Sequence, residues 1–334
     1  MTATTQLTPK DFKSDQDVRW CPGCGDYAIL KAVQTVFPKL GIPKEKLVVV
    51  SGIGCSSRFP YYMDTYGFHT IHGRAPAVAT GLKVARPDLE VWVVTGDGDS
   101  LSIGGNHLIH VLRRNVGLKV LLFNNRIYGL TKGQYSPTSE VGKRTSSTPM
   151  GSIDAPFNPL ALALGAGASF VARSVDVFQP HLISTLGRAA EHKGTAFIEI
   201  YQNCNIFNDK AFAYMTDKAN REGQTLKLEH GQPLVFDDGQ RGIVLDGLGV
   251  KDVALGDGYT AEDCLVYDET NPMHATMMAQ LAPPSFPTPI GVLRAVEQPA
   301  FEGAVVDQVQ EAVDGGGDAS LNDLLRSGET WTVE

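Results

Sequence analysis

Two short polar motifs stand at a spacing that could hold a divalent cation against a diphosphate. The chain reads GDG at 96–98, then 25 residues, then Asn124 and Asn125. Each motif alone is ordinary loop composition, because Asp, Asn and Gly all favour turns. The interval makes the pair informative, since it fits one helix and one strand and so brings a carboxylate and an amide to neighbouring strand ends. Magnesium takes hard oxygen ligands in octahedral geometry and commonly shares them with phosphates. Gly96 and Gly98 allow close backbone approach, and a helix starting near Gly104 or Gly105 can aim free amides at an anion.

The five cysteines are too few for a disulfide scaffold in 334 residues. Cys21 and Cys24 form a CPGCG motif whose chemistry is open on its own: a redox dithiol, half of a structural zinc site, or half of a cluster site. Cys55 and Cys204 are distant singles. Cys264, in YTAEDCLVYDE, reads as an ordinary buried or partly exposed thiol.

These residues need elements to position them, and the chain supplies alternating strands and helices. After a helical stretch over DYAILKAVQTVFPKLG come six short apolar runs: LVVVSGIGC, HTIHGR, VWVVTGDGD, KVLLFNN, SFVARS and AFIEIYQNC. Between them lie helical patterns in APAVATGLKVARP, with Pro76 suited to a first turn, in GGNHLIHVLRRN and in NPLALALGAG. The last is VDVFQPHLISTLGRAAEHKG, with Ser174 as its expected cap. The pattern predicts an α/β fold, a doubly wound parallel sheet covered on both faces. Ligands of such sheets bind beyond the carboxyl ends of the strands. Cys55, His72, Arg74, Asp97, Asp99, Asn124, Asn125 and Cys204 each follow an apolar run, so the fold gathers them on one rim.

The rhythm breaks after about residue 205. The stretch from Asn208 to Gly231 shows no clear strand, so the reading divides the chain into a cofactor-binding domain, 1–230, and a C-terminal extension, 231–334, with VDGGGD at 313–318 as a loop. Charge divides at the same place. Residues 1–230 hold 25 basic against 19 acidic residues, and residues 231–334 hold 4 against 18. The basic body suits anionic ligands or an acidic partner, whereas the net charge of -8 disfavours nucleic acid. No run of 18 apolar residues and no targeting pattern at the start are present, which predicts a cytoplasmic protein with no membrane association.

The motifs together, WCPGCGD at 20–26, GIGCSSR at 52–58, HGRA at 72–75, TGDGD at 95–99 and NNRIYGLTKGQ at 124–134, resemble the beta subunit of 2-oxoacid:ferredoxin oxidoreductases. The resemblance covers Trp20 to Cys204, about two thirds of the chain, and leaves the acidic extension unexplained. It implies a thiamine diphosphate-binding fold with Mg2+ held by Asp97, Asn125 and the Ile127 carbonyl. It implies cofactor contacts at Ile53, Gly54, Cys55, Ser56, His72, Gly73, Arg74, Gly96, Gly98, Asp99, Asn125, Gly129, Leu130 and Thr131. Cys21, Cys24, Cys55 and Cys204 match the family's ligands to one 4Fe-4S cluster. Structural zinc stays open beside it, although zinc commonly uses two close pairs rather than one pair and two singles.

Members of the family oxidise a 2-oxoacid with coenzyme A and reduce ferredoxin. Lys132, beside Leu130 in the substrate loop, would suit the second carboxylate of 2-oxoglutarate, which points to 2-oxoglutarate:ferredoxin oxidoreductase and makes succinyl-CoA and carbon dioxide the products. Pyruvate or another 2-oxoacid is the rival substrate, and a non-redox thiamine enzyme subunit with zinc is the rival class. The family draws its aminopyrimidine-binding domain from an alpha subunit, in an alpha-beta or alpha2beta2 assembly, so no catalytic acid or base is assigned to this chain. Lys143 and Arg144 are the residues expected to steer an acidic ferredoxin.

Overall fold

The computed structural model describes residues 7–316 and 320–333. Its strands are β1 (Leu47–Ser51), β2 (Tyr66–His69), β3 (Glu90–Gly96), β4 (Leu118–Asn124), β5 (Phe170–Val175), β6 (Ala196–Tyr201), β7 (Thr225–Leu228), β8 (Val235–Phe236), β9 (Arg241–Asp246), β10 (Gly249–Ala254) and β11 (Thr288–Ala295). Eight form one sheet in the order β2-β1-β3-β4-β6-β5-β11-β7, and β8 to β10 form a small antiparallel sheet. In the large sheet every neighbouring pair is parallel except β11 with β5.

Strands β1, β4, β5 and β6 are buried at every residue, as a sheet covered on both faces requires. Period-two alternation then sorts their side chains. Val91 and Val93 of β3 pack with Val48, Val50, Val120 and Leu122, while Trp92 and Val94 pack with Val49, Leu121 and Phe123 on the opposite face. Helices Ala75–Ala85, Gly105–Arg114, Pro159–Gly165 and Pro272–Gln280 cover the first face. Helices Asp26–Val36 and Gln179–Glu191 cover the second. Each fully buried Val or Leu contributes about 1.5–3 kcal/mol, so these two packed layers hold the strand ends in place.

Several expectations shift. The second strand is Tyr66–His69, and HTIHGR is its end and the following turn; β2 is an exposed sheet edge, so no apolar run marks it. Ser174 lies inside β5 and shares a 2.8 Å hydrogen bond with His181 Nδ1 instead of capping the helix that begins at Gln179. Residues 225–228, within the stretch expected to lack a strand, form β7. Position 230 is no break in the packing, because β11 sits between β5 and β7 and its Leu293 shares a core cluster with Leu234, Phe236, Ile243, Leu265 and Tyr267. The sheet is therefore doubly wound and mostly parallel, with β11, supplied from beyond residue 230, and β7 beside it running against the other six strands. The tract expected as a loop from Val313 is helical through Gly316, and its residues 317 and 318 lie outside the described residues. Among the described residues no helix is long and apolar enough to cross a membrane.

Candidate functional site

The carboxyl ends of β1 to β4 open onto a cavity of about 1120 Å3. Its walls contain every residue expected to touch the cofactor except Gly73. Ile53, Gly54, Cys55 and Ser56 come from the turn after β1, His72 and Arg74 from the turn after β2, Gly96 to Asp99 from the end of β3, and Asn125 with Ile127 to Thr131 from the loop after β4. His72 is exposed on this wall, which separates it from an ordinary core histidine. Ser56 is buried and its Oγ has no hydrogen-bond partner.

Asp97 is 2% exposed, and its Oδ2 accepts hydrogen bonds from Ser136 Oγ at 2.5 Å and Thr138 Oγ1 at 2.6 Å. Burial pushes its carboxyl up to about 6, against the opposing effect of those hydroxyls and nearby backbone amides. The two asparagines part company. Asn124 points into a buried network, donating to Glu199 Oε1 at 2.7 Å, and Glu199 in turn accepts from Arg173 Nε at 2.7 Å. Asn125 lines the cavity, and its Oδ1 accepts from Ile127 N at 3.1 Å. Asp99 has both oxygens engaged, Oδ1 by Gly73 N at 2.7 Å and Oδ2 by Thr95 Oγ1 at 2.8 Å, so it ties the turn after β2 to the end of β3. Burial raises its carboxyl as well.

Glycine is required at two of these places. A Cβ on Gly98 would stand 2.2 Å from the Tyr128 ring, whose hydroxyl donates to the Gly98 carbonyl at 2.9 Å. Gly73 has φ of 68°, and a Cβ there would meet the Gly104 backbone at 2.5 Å. Tyr128, Ser136 and Thr138 are site residues that the sequence reading passed over. A tyrosine within NNRIYGLT and hydroxyls in a loop carry no periodic signal, and only the folded loop brings them to Asp97.

A second cavity, about 210 Å3, is lined by Cys21, Cys24, Cys55 and Cys204 together with Asp26, Arg58 and Lys132. The cavities share a wall made of Cys55, Asn125, Gly129 and Leu130. A Cβ at Gly129 would lie 3.5 Å from Cys55 Sγ and 3.6 Å from Cys204 Sγ, so this residue stands in contact distance of both thiols. Among the described residues no three His, Cys, Asp or Glu side chains converge as one metal ion would require. Burial, then the Asp26 charge, pushes the Cys55 thiol up to about 12 and raises Cys24 as well. Asp26 is 1% exposed, neither of its oxygens has a hydrogen-bond partner, and burial pushes it up to about 7. Gln202 Nε2 donates to Cys24 Sγ at 3.2 Å, and Trp20 Nε1 donates to the Cys55 carbonyl at 2.6 Å.

Two expected residues stand elsewhere. Lys132, at φ of 75°, faces the cysteine cavity and is absent from the walls of the larger one, while Leu130 reaches both. Lys143 pairs with Glu140 at 3.2 Å and donates to Asn208, which leaves Arg144 as the exposed member of that pair. Cys264 is buried against Val244 and Val253, remote from the other cysteines.

Residues 52–200 match the family described as thiamine pyrophosphate enzyme, C-terminal TPP binding domain. The chain is 53% identical to the 2-oxoglutarate oxidoreductase subunit KorB of Mycobacterium tuberculosis, over 97% of this chain and 88% of that one. It is 48% identical to 2-oxoacid:ferredoxin oxidoreductase 1, subunit beta, of Aeropyrum pernix, over 57% of this chain and 60% of that one. A solved structure, 2-oxoglutarate:ferredoxin oxidoreductase from Magnetococcus marinus with 2-oxoglutarate, coenzyme A and succinyl-CoA bound, matches with a TM-score of 0.79 at 33% identity, covering 98% of both chains.

Proposed function

The chain belongs to the beta subunits of the 2-oxoacid:ferredoxin oxidoreductases, and from that premise we propose that it forms half of an enzyme oxidising 2-oxoglutarate. The reaction consumes 2-oxoglutarate, coenzyme A and oxidised ferredoxin and yields succinyl-CoA, carbon dioxide and reduced ferredoxin in the cytoplasm. The observation that carries this reading is the wall of Cys55, Asn125, Gly129 and Leu130 common to the two cavities. A centre that handles the oxoacid and a centre that accepts its electrons need such proximity.

The residues present suit the groups this reading requires. Asp97 is a buried carboxylate held by hydroxyls and amides, with no cationic side chain among the causes of its shift, and a divalent cation would favour its charged form. Asp97, Asn125 and the Ile127 carbonyl would hold Mg2+, and the glycine-rich turns with the unpartnered Ser56 hydroxyl would hold the diphosphate. Cys21, Cys24, Cys55 and Cys204 would hold one 4Fe-4S cluster. The spread of the four cysteines around a cavity supports a cluster over zinc, which draws four ligands onto one point, whereas a cube presents four separate irons. When bound, thiamine diphosphate supplies the carbanion chemistry that releases carbon dioxide, and the cluster supplies single-electron transfer.

The chain's own side chains position and insulate. Tyr128 props the Gly98 turn, and Ile53, Ile127 and Leu130 give the cavity apolar walls that exclude water. Ile71, Ile103 and Leu130 are large apolar residues left exposed at its mouth, which suits closure by an alpha subunit. No acid or base of this chain is assigned to the aminopyrimidine side.

An anaerobic assay of the co-expressed subunits with 2-oxoglutarate, coenzyme A and a ferredoxin, with iron, sulfide and zinc analysis, tests the reading. Turnover with four irons and four sulfides per beta subunit is expected, and no turnover from the beta chain alone. Preference for pyruvate would remove the substrate assignment, and stoichiometric zinc without sulfide would remove the cluster.

A further inference from the structure

Three hydroxyls within four residues, on Ser136, Thr138 and Ser139, are each at most 4% exposed although the turn that carries them belongs to no helix or strand. Buried hydroxyls need partners, and these find theirs on Asp97 and on the residues flanking Asn125. Ser136 Oγ and Thr138 Oγ1 converge on Asp97 Oδ2, at 2.5 and 2.6 Å. Thr138 Oγ1 also stands 2.9 Å from Asn124 Oδ1, bridging the end of β3 to the end of β4. Ser139 Oγ donates to the Arg126 carbonyl at 2.6 Å, inside the turn between Asn125 and Ile127, and accepts from Ser136 N at 2.8 Å.

The turn thus grips Asp97 directly and holds the chain on either side of Asn125, at Asn124 and Arg126. Two donors on one oxygen fix the rotation of the Asp97 carboxylate, and the Arg126 contact fixes the carbonyl next to that of Ile127. The contacts to Asp97 reach back 39 and 41 residues.

We propose that Ser136, Thr138 and Ser139 are positioning residues for Mg2+, setting its affinity in the presence of thiamine diphosphate. This rests on the reading of the cation site given above. The test uses the intact two-subunit assembly, freed of divalent cation under anaerobic conditions and titrated calorimetrically with Mg2+ at saturating thiamine diphosphate. Thr138→Val keeps the side-chain shape and removes the hydroxyl, and Thr138→Ser restores it. The valine variant and, separately, Ser136→Ala should each weaken Mg2+ binding about tenfold or more, as loss of a hydrogen bond to a charged group implies. Thr138→Ser should recover parental affinity, with iron content and the KM for 2-oxoglutarate at saturating Mg2+ unmoved. Parental affinity in both hydroxyl-deleted variants, or a serine variant as weak as the valine one, overturns the inference, as does joint loss of iron and Mg2+. If the parent assembly itself shows no Mg2+-dependent binding of thiamine diphosphate, the cofactor reading falls instead.

Discussion

Cys55 and Cys204 both line the cysteine cavity, but only Cys55 also lines the larger one. Cys204→Ser should abolish the cluster's visible absorbance and lower iron content while leaving thiamine diphosphate binding near the parental level. Cys55→Ser should reduce both, and equal behaviour of the two variants in paired iron and cofactor-binding measurements would contradict the shared wall. Lys132 is the residue whose place the sequence did not foretell, because loop position says which strand end a side chain follows but not which side of the loop it leaves. If its ammonium meets the second carboxylate of 2-oxoglutarate, Lys132→Met should raise the KM for that substrate by about one to two orders of magnitude and leave pyruvate little changed. Unchanged KM for both, with altered ferredoxin reduction, would assign Lys132 to the cysteine side instead.

At the level of elements, the sequence made legible what is buried on two faces. The apolar runs ending at Cys55, Asp97, Asn124 and Cys204 belong to central strands, and the residues that follow them line the two cavities at the strand ends. The apolar pattern failed at β2 and β7, which are short sheet edges, and at β11, whose TPIGVLRA follows a proline-rich stretch and enters the sheet antiparallel. Long-range pairing of that kind leaves no local periodic trace. Because Leu293 is fully buried, Leu293→Ala should cost about 2–5 kcal/mol, read as a lower urea midpoint for the whole domain. A change below 0.5 kcal/mol would mean that β11 is peripheral. Two histidines of the helix Gln179–Glu191, His181 in its first turn and His192 at its C-terminal cap, make a second, pH-dependent test. Burial, and secondarily Lys119, lowers His192 to about 4, and burial with Lys227 does the same to His181. Neutral imidazole is the form the fold accepts, so its contribution is whole above pH 6.5, the unfolded value, and is lost as pH falls toward about 4. His192→Gln should flatten that acid decline in a series of urea midpoints, and an identical slope would argue against the assignment.

Across the whole molecule, charge is distributed by task. Arg58 and Lys132 line the cysteine cavity without a carboxylate partner among the described residues, whereas Arg19 pairs with Asp17 and Lys143 with Glu140, so Arg58 and Lys132 are the cations we expect to attract an acidic carrier. Ferredoxin reduction should slow as ionic strength rises, chiefly through its KM, and insensitivity between low and physiological salt would discard steering. The inserted strand bears on a different matter, the time course of folding. β5 is complete at residue 175, yet its neighbour β11 begins at Thr288 and the next strand, β7, lies between them in sequence. At ribosomal speeds the interval lasts roughly 6–20 s. Through that time the edge of β5 is open and β7 has no parallel neighbour to join. The nascent chain therefore carries a nearly finished cofactor cradle beside an unpaired, apolar sheet edge. Its vulnerable period for aggregation ends only when the last third of the chain has emerged.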